Sequence, residues 1–214
     1  MLKTPNMKRA WFLCWLFSIQ ILNAQAPDLS VLQVKSPETF TASFKTNKGD
    51  FIIEVYRKWS PLGADRIYQL IKSGFFSNAL FFRVEPDFVV QFGISANYAA
   101  NRFWDPRKLS DEPAFQKNTK GTISFARGGR NDRATQIFIN MVDNVKLDTA
   151  FRNGVKGYTP IAKVVKGMNV VAALNGYYGK KPATIQDSLY KYGNHYFEQA
   201  FPGLDRILSA TILK

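Results

Sequence analysis

Phe81-Phe82-Arg83-Val84-Glu85-Pro86-Asp87-Phe88-Val89-Val90-Gln91-Phe92-Gly93 holds two short runs of bulky apolar residues on either side of a Pro-Asp turn. The pattern predicts strands over 79–84 and 88–93. Side chains alternate along a strand, so Leu80, Phe82 and Val84 share one face, with Phe81 and Arg83 on the other. Past the turn, Phe88, Val90 and Phe92 form an apolar row, opposite Val89 and Gln91. If the rows of Phe82 and Val90 fill an interior, Arg83 and Gln91 both reach an outer groove. Such a groove can bind and polarise a neutral, partly apolar group, but it contains no nucleophile.

Outward from this hairpin the same reading continues. Phe40, Ala42 and Phe44 alternate with polar neighbours, Asn47-Lys48-Gly49-Asp50 reads as a turn, and a second strand follows over 51–56. Ser60-Pro61 starts a helix, with Ser60 as cap and Pro61 in the first turn, where no N–H is needed. Ile67, Leu70 and Ile71 keep helical spacing up to Gly74. A loop rich in Asn, Pro and charge is expected over 97–119. Strands follow over 121–126, 136–141 and 159–165, then a short helix over 169–175. A turn over 176–182, a helical segment over 184–199 and a last strand over 204–213 close the chain. Many short strands with few helices predict a closed antiparallel barrel capped by helices.

Composition removes several kinds of chemistry. The chain has one histidine, His195, and one cysteine, Cys14, which lies in the N-terminal apolar run read below as cleaved. A mature protein without cysteine excludes thiol catalysis, and a single histidine argues against a His-rich metal site. Its carboxylates are isolated, and Gly128-Gly129 resembles a phosphate loop in composition only. Lys3, Lys8 and Arg9 precede an apolar run over 10–22 that is too short to span a bilayer, and Asn23-Ala24-Gln25-Ala26 offers small residues for cleavage. Residues 1–24 therefore read as a signal peptide, 25–38 as a linker and 39–214 as the folded domain. An exported, periplasmic protein is expected, with an uncleaved membrane-anchored form as the alternative. The net charge of +13 falls to +10 once Lys3, Lys8 and Arg9 are removed. Its positive residues are dispersed, so no nucleic-acid partner is expected; contact with an anionic envelope surface fits the charge.

The combination FFRVEPDFVVQFG (81–93), GTISFARGG (121–129), TQIFI (135–139), Leu147-Asp148 and AKVVKGMNVV (162–171) resembles the cyclophilin family of peptidyl-prolyl cis–trans isomerases. The resemblance covers roughly residues 40–213. It implies a mainly β, closed, eight-stranded antiparallel barrel with helical caps and an extra C-terminal helical segment before the last strand. It also implies a monomer that needs no cofactor and acts on proline-containing polypeptides, unfolded or newly exported. By resemblance, Arg83 is the catalytic donor and Gln91 orients it and the substrate carbonyl. Phe88, Val89, Phe138 and Leu147 form the proline pocket, completed by Tyr158. The Arg127 backbone holds the residue before proline, while Ala126 and Gln136 line the adjoining groove.

The chain departs from the family pattern in ways that bear on the rim. Phe82 and Tyr158 stand where the family has histidines, Arg127 replaces an asparagine, Lys146 a frequent tryptophan, and Phe92 a glycine. Weaker inhibition by cyclosporin-type compounds is expected from the loss of the tryptophan. Two other classes fit parts of the same sequence. One is a proline-peptide-binding or chaperone module with little turnover; the other is a small-molecule carrier with an open barrel interior.

Overall fold

The computed structural model describes residues 26–213, so the segment read as a signal peptide, with Cys14, lies outside the described residues. In β1 (Thr39–Thr46) and β2 (Gly49–Tyr56) every second residue is apolar and buried: Phe40, Ala42 and Phe44, then Phe51, Ile53 and Val55. That alternation fixes the pairing, because a slip of one residue would turn every ring outward. Phe44 lies opposite Phe51 and their rings stack at 5.1 Å.

Helix α1 (Pro61–Lys72) packs on this hairpin through Ile67 and Leu70, both fully buried. Ser60 precedes it, but its hydroxyl does not cap the helix as expected. It donates instead to the Glu112 carboxylate, which also accepts from the Leu62 N–H at 2.8 Å and the Gly63 N–H at 3.3 Å. The cap therefore comes from a distant carboxylate, a stronger acceptor for the positive helix end.

The chain continues through β3 (Arg83–Val84), β4 (Val89–Phe92), α2 (Tyr98–Trp104), β5 (Thr122–Phe125) and β6 (Ile137–Asn140). Then come α3 (Lys146–Thr149), β7 (Phe151–Arg152), β8 (Val155–Lys156), β9 (Pro160–Lys166), α4 (Met168–Ala172), α5 (Lys181–Thr184), α6 (Gln186–Ala200) and β10 (Ile207–Ile212). Eight strands form one antiparallel sheet in the order β10-β1-β2-β9-β5-β6-β4-β3, and β7–β8 is a separate hairpin. Phe44, Phe51, Phe76, Phe81 and Phe92 fill its concave side, none more than 1% exposed. At about 1.5–3 kcal/mol for each buried ring, this cluster is a leading source of stability. It also leaves no open interior for a carried ligand.

Four expectations are corrected. The sheet is curled but not fully closed. Among the described residues, the segments leading into its end strands β3 and β10 meet at a Leu80–Arg206 bridge, flanked by the Phe81 N–H donating to the Asp205 carbonyl and the Ile207 N–H to the Ala79 carbonyl, both at 2.9 Å. Phe82 does not line the interior. Phe81 does, edge-on to Phe92 at 5.1 Å, while Phe82 and Leu80 join a second cluster with Ile94, Leu189, Phe197 and Leu204. Residues 81 and 82 lie outside the ladder, so alternation does not carry through them to Val84. Phe88 likewise leaves the row of Val90 and Phe92, because it sits in the turn before β4. The presumed loop over 97–119 contains α2, whose first N–H groups, on Ala99 and Ala100, donate to the Asn97 side chain at 2.9 and 3.2 Å.

The stretch read as a linker folds onto α1 from Asp28 onward. A 3-10 turn, Leu29–Gln33, brings Val31 and Leu32 against the core. The Gln69 side chain donates to the Val34 carbonyl at 2.8 Å, and the Ser36 N–H donates to Asp65 at 2.8 Å. Helix α6 bends at Gly193, whose φ of 71° and ψ of −171° lie outside the helical region. No described helix is long and apolar enough to cross a membrane.

Candidate active site

Arg83 stands opposite Gln91 in the β3–β4 pair, and Gln91 stands opposite Phe138 in the β4–β6 pair. Residues directly opposite in antiparallel strands have neighbouring side chains on one face. Three strands thus present Arg83, Gln91 and Phe138 side by side on the outer surface of the sheet. The adjoining end of β5 adds Ala126, whose N–H donates to the Gln136 carbonyl at 2.9 Å.

The Arg83 guanidinium is held on three sides. Its Nε donates to Glu85 at 2.5 Å, its Nη1 to the Gln91 side-chain oxygen Oε1 at 3.3 Å, and its Cζ lies 5.2 Å from the centre of the Phe88 ring. Among the described residues its Nη2 makes no hydrogen bond, and the residue lines the groove. The side chain is 25% exposed, enough to meet a ligand and too little to move freely.

A chain of side-chain hydrogen bonds continues from it. The Gln91 Nε2 donates to Gln136 Oε1 at 2.8 Å, and the Gln136 Nε2 donates to the Tyr190 hydroxyl at 3.2 Å. Burial pushes the Tyr190 phenol above the ordinary tyrosine range, so it remains an un-ionised hydroxyl at neutral pH. Gly93 makes the close approach possible. Its φ is 112°, and a Cβ there would sit 2.4 Å from the Thr135 carbonyl oxygen, beside Gln136.

The apolar side of the groove comes from Phe88, Val89, Phe138, Leu147 and Tyr158. Phe138 and Tyr158 meet edge to face at 5.6 Å. The Tyr158 N–H donates to the Leu147 carbonyl at 3.1 Å, which fixes these two walls to each other. Behind them lies a buried polar network that sequence reading missed. Asp148 accepts from the Asn118 N–H at 2.8 Å and from its side chain at 2.9 Å, while the Asn118 side-chain oxygen accepts from Ser124 at 2.8 Å. Asn144 adds bonds to Asn140 and to the Phe88 carbonyl, both at 2.8 Å. Buried polar groups that are mutually satisfied make a rigid support.

All ten residues singled out from the sequence line one groove of about 760 Å³: Arg83, Phe88, Val89, Gln91, Ala126, Arg127, Gln136, Phe138, Leu147 and Tyr158. The Arg127 side chain has a further task. It is 9% exposed, its Cζ lies 4.7 Å from the Tyr158 ring centre, and it donates to the Gly157 carbonyl and, at 3.3 Å, to that of Val155. It thereby holds the β7–β8 hairpin against the pocket wall. His195 is exposed on α6 and does not line the groove. Glu85 and the α5–α6 residues Ala183, Gln186 and Asp187 were not singled out from the sequence, and Tyr190 was read there only as one of the C-terminal aromatics packed on the barrel or open to a partner. Tyr190, Ala183, Gln186 and Asp187 line the groove, and Glu85 grips Arg83. Among the described residues, no group of three His, Cys, Asp or Glu side chains could hold a metal.

A curled eight-stranded antiparallel sheet, with the Arg83 guanidinium beside an apolar pocket on its outer face, defines a cyclophilin-like fold bearing a non-covalent binding groove. The family model for "Cyclophilin type peptidyl-prolyl cis-trans isomerase/CLD" matches residues 41–191. A peptidyl-prolyl cis-trans isomerase of Acinetobacter baylyi is 36% identical over 129 residues, 59% of this chain and 67% of the relative. Peptidyl-prolyl cis-trans isomerase B of Escherichia coli is 33% identical over 137 residues, 63% of this chain and 83% of the relative. In fold, the chain is similar to a crystal structure of a Cryptosporidium parvum cyclophilin determined in the presence of the dipeptide Ala-Pro. The TM-score is 0.60 at 20% identity, over 81% of this chain and 99% of the other. This chain belongs to the cyclophilin-type peptidyl-prolyl cis-trans isomerases.

Proposed function

We propose that the groove isomerises Xaa-Pro bonds in exported, unfolded polypeptides, with the proline ring against Phe88, Val89, Phe138, Leu147 and Tyr158 and with Arg83 as the donor. The barrier to peptide rotation is about 18–20 kcal/mol because amide resonance must be broken. In the twisted transition state the prolyl nitrogen becomes pyramidal and gains a basic lone pair. A donor aimed at that lone pair stabilises the transition state more than either planar ground state, and only such a difference accelerates the reaction. No covalent step is required.

The observation that carries this reading is the uncommitted Nη2 of an otherwise immobilised arginine beside an apolar pocket. Gln91 presents its carbonyl to Arg83, which leaves Arg83 Nη2 free for the substrate. Ala126, Gln136 and the Arg127 backbone would receive the residues before proline. A positioned donor contributes about 10²–10³ in rate. Arg83→Ala should therefore lower kcat/KM for a proline-containing tetrapeptide by about two orders of magnitude, with its melting temperature close to the parent's. An Arg83→Ala protein as fast as the parent would remove Arg83 from the donor role, whereas a parent no faster than the uncatalysed reaction would leave only a binding module.

The export half of the proposal rests on the charged start, the apolar run over 10–22 and the small residues Ala24 and Ala26. Expressed at full length in a Gram-negative host, the protein should be recovered from the periplasm with its N-terminus just after Ala24 or Ala26. An intact Met1 on cytoplasmic material would end that part of the reading.

A further inference from the structure

The groove has a wall that the family-like motifs did not predict. Helices α5 and α6 bring Ala183, Gln186, Asp187 and Tyr190 to its rim, 54 residues along the chain from Gln136 in the case of Tyr190. This wall is firmly attached. Leu189 and Phe197 of α6 are 1% and 0% exposed, packed in the second apolar cluster with Phe82, the residue that precedes Arg83. One pair of neighbours in the chain thus serves both structures, Phe82 anchoring α6 and Arg83 facing the groove.

Hydrogen-bond chemistry makes the connection directional. Arginine has only donors, so Arg83 obliges Gln91 to turn its oxygen toward it. The Gln91 NH₂ then points at Gln136 and obliges that amide to present its own oxygen. The Gln136 NH₂ is left pointing outward, and Tyr190 supplies the acceptor. Each amide has one orientation that satisfies both neighbours, and the sequence of orientations ends on α6.

We infer that Tyr190 is a positioning residue: its hydroxyl locks Gln136, and through Gln136 and Gln91 it holds Arg83 in the orientation that meets the twisted Xaa-Pro bond. The inference rests on the isomerase reading above and assigns the α5–α6 segment a part in it. Removing the hydroxyl leaves the Gln136 amide held only by Gln91 and loosens the chain of bonds from its far end. Because Arg83 keeps Glu85 and Phe88, the loss is partial.

Tyr190→Phe, which keeps the buried ring, should lower kcat by about three- to ten-fold with KM little changed, the effect of one neutral hydrogen bond. In a Gln136→Ala background the same substitution should have no further effect, since the bond it removes is already gone. Full parental kcat in Tyr190→Phe, or an undiminished drop in the Gln136→Ala background, would overturn the inference. A residue that merely holds α6 in place would lower the melting temperature and leave the kcat of the folded protein alone. Arg83→Ala measured alongside separates the two levels. If it loses activity while Tyr190→Phe does not, the inference fails alone; if neither loses activity, the donor role of Arg83 fails with it. Should Tyr190→Phe fold poorly, the side-chain amide protons of Gln91 and Gln136 in the parent supply the test by NMR. Shifts displaced from the random-coil pair, with protection from solvent exchange, are expected; random-coil shifts with unprotected exchange would refute the lock.

Discussion

Arg83 has two polar partners of different kinds. Gln91 binds the Nη1 edge and passes the constraint on to Gln136, whereas Glu85 binds Nε from a carboxylate that is 30% exposed. An ion pair this accessible to water is worth about 0.2–1 kcal/mol, far less than a buried one. Glu85→Ala should therefore change kcat/KM by less than about five-fold, because Gln91 and the Phe88 ring still hold the guanidinium. Tetrapeptide isomerisation measures it, and a fall as large as that of Arg83→Ala would make Glu85 an equal partner in catalysis. At this scale the sequence was informative wherever function follows the face of a strand. Arg83, Gln91 and Phe138 come together through pairing that two-residue periodicity and motif spacing both indicate. Glu85 and Tyr190 stayed hidden for different reasons. Glu85 was read as part of a turn, and its grip on Arg83 depends on how the Pro86-Asp87 corner folds back. Tyr190 meets Gln136 only through tertiary packing, which leaves no trace in local spacing.

Among the elements, legibility followed regularity. β1, β2 and α1 have clean periods of two or of about three and a half residues, and their buried faces are the ones read from the sequence. The reading failed where the backbone leaves regular geometry. At 81–82 the ladder lapses, and Phe82 goes to the second cluster although parity assigned it to the first. The signal for α2 was present in Asn97 followed by Ala99 and Ala100, a cap ahead of good helix formers, but Pro, Asn and charge around it suggested a loop. The cap of α1 was invisible for the opposite reason. Ser60 has the right chemistry, yet the acceptor is Glu112, 50 residues away from Leu62 and itself paired at 3.0 Å with the buried Arg133. A local rule cannot name a distant cap. For α6 the apolar positions indicated a helix, and the aromatic residues divide between two environments. Phe197 packs inside, while Tyr192 and Tyr196 remain 55% and 40% exposed.

At the level of the whole molecule, closure of the curled sheet depends on one short seam. Asp205 sits there with 3% of its side chain exposed. Its Oδ1 accepts from the Asn47 side chain at 2.6 Å and its Oδ2 from the Asn175 N–H at 2.6 Å, with Lys48 Nζ 3.8 Å away. Its backbone carbonyl receives the Phe81 N–H, and next to it the Asn47 side-chain oxygen receives the Arg206 N–H at 2.9 Å. At this residue, in the approach to β10, three other pieces of chain meet: the β1–β2 turn and the segment after α4 at its carboxylate, and the approach to β3 at its backbone carbonyl. A hydrogen bond to a charged group is worth about 1.5–3 kcal/mol net, and a donor left buried without a partner adds its own desolvation cost. Asp205→Ala removes both bonds, but Asn47 is exposed and Asn175 half-buried, so water can take up the freed donors and the loss should be about 2–3 kcal/mol, less than a simple sum because the two bonds share one acceptor group. Asp205→Asn retains one oxygen and should lose about half as much. Urea unfolding reads both: the midpoint falls while the slope stays that of the parent, since the same surface is exposed. Because the seam joins β3 to β10 and β10 continues into the β1–β2 hairpin, the loss should appear in the unfolding of the entire sheet. An early, separate transition of residues beyond 175 with the main midpoint unmoved would show that the seam fastens only the C-terminal segment.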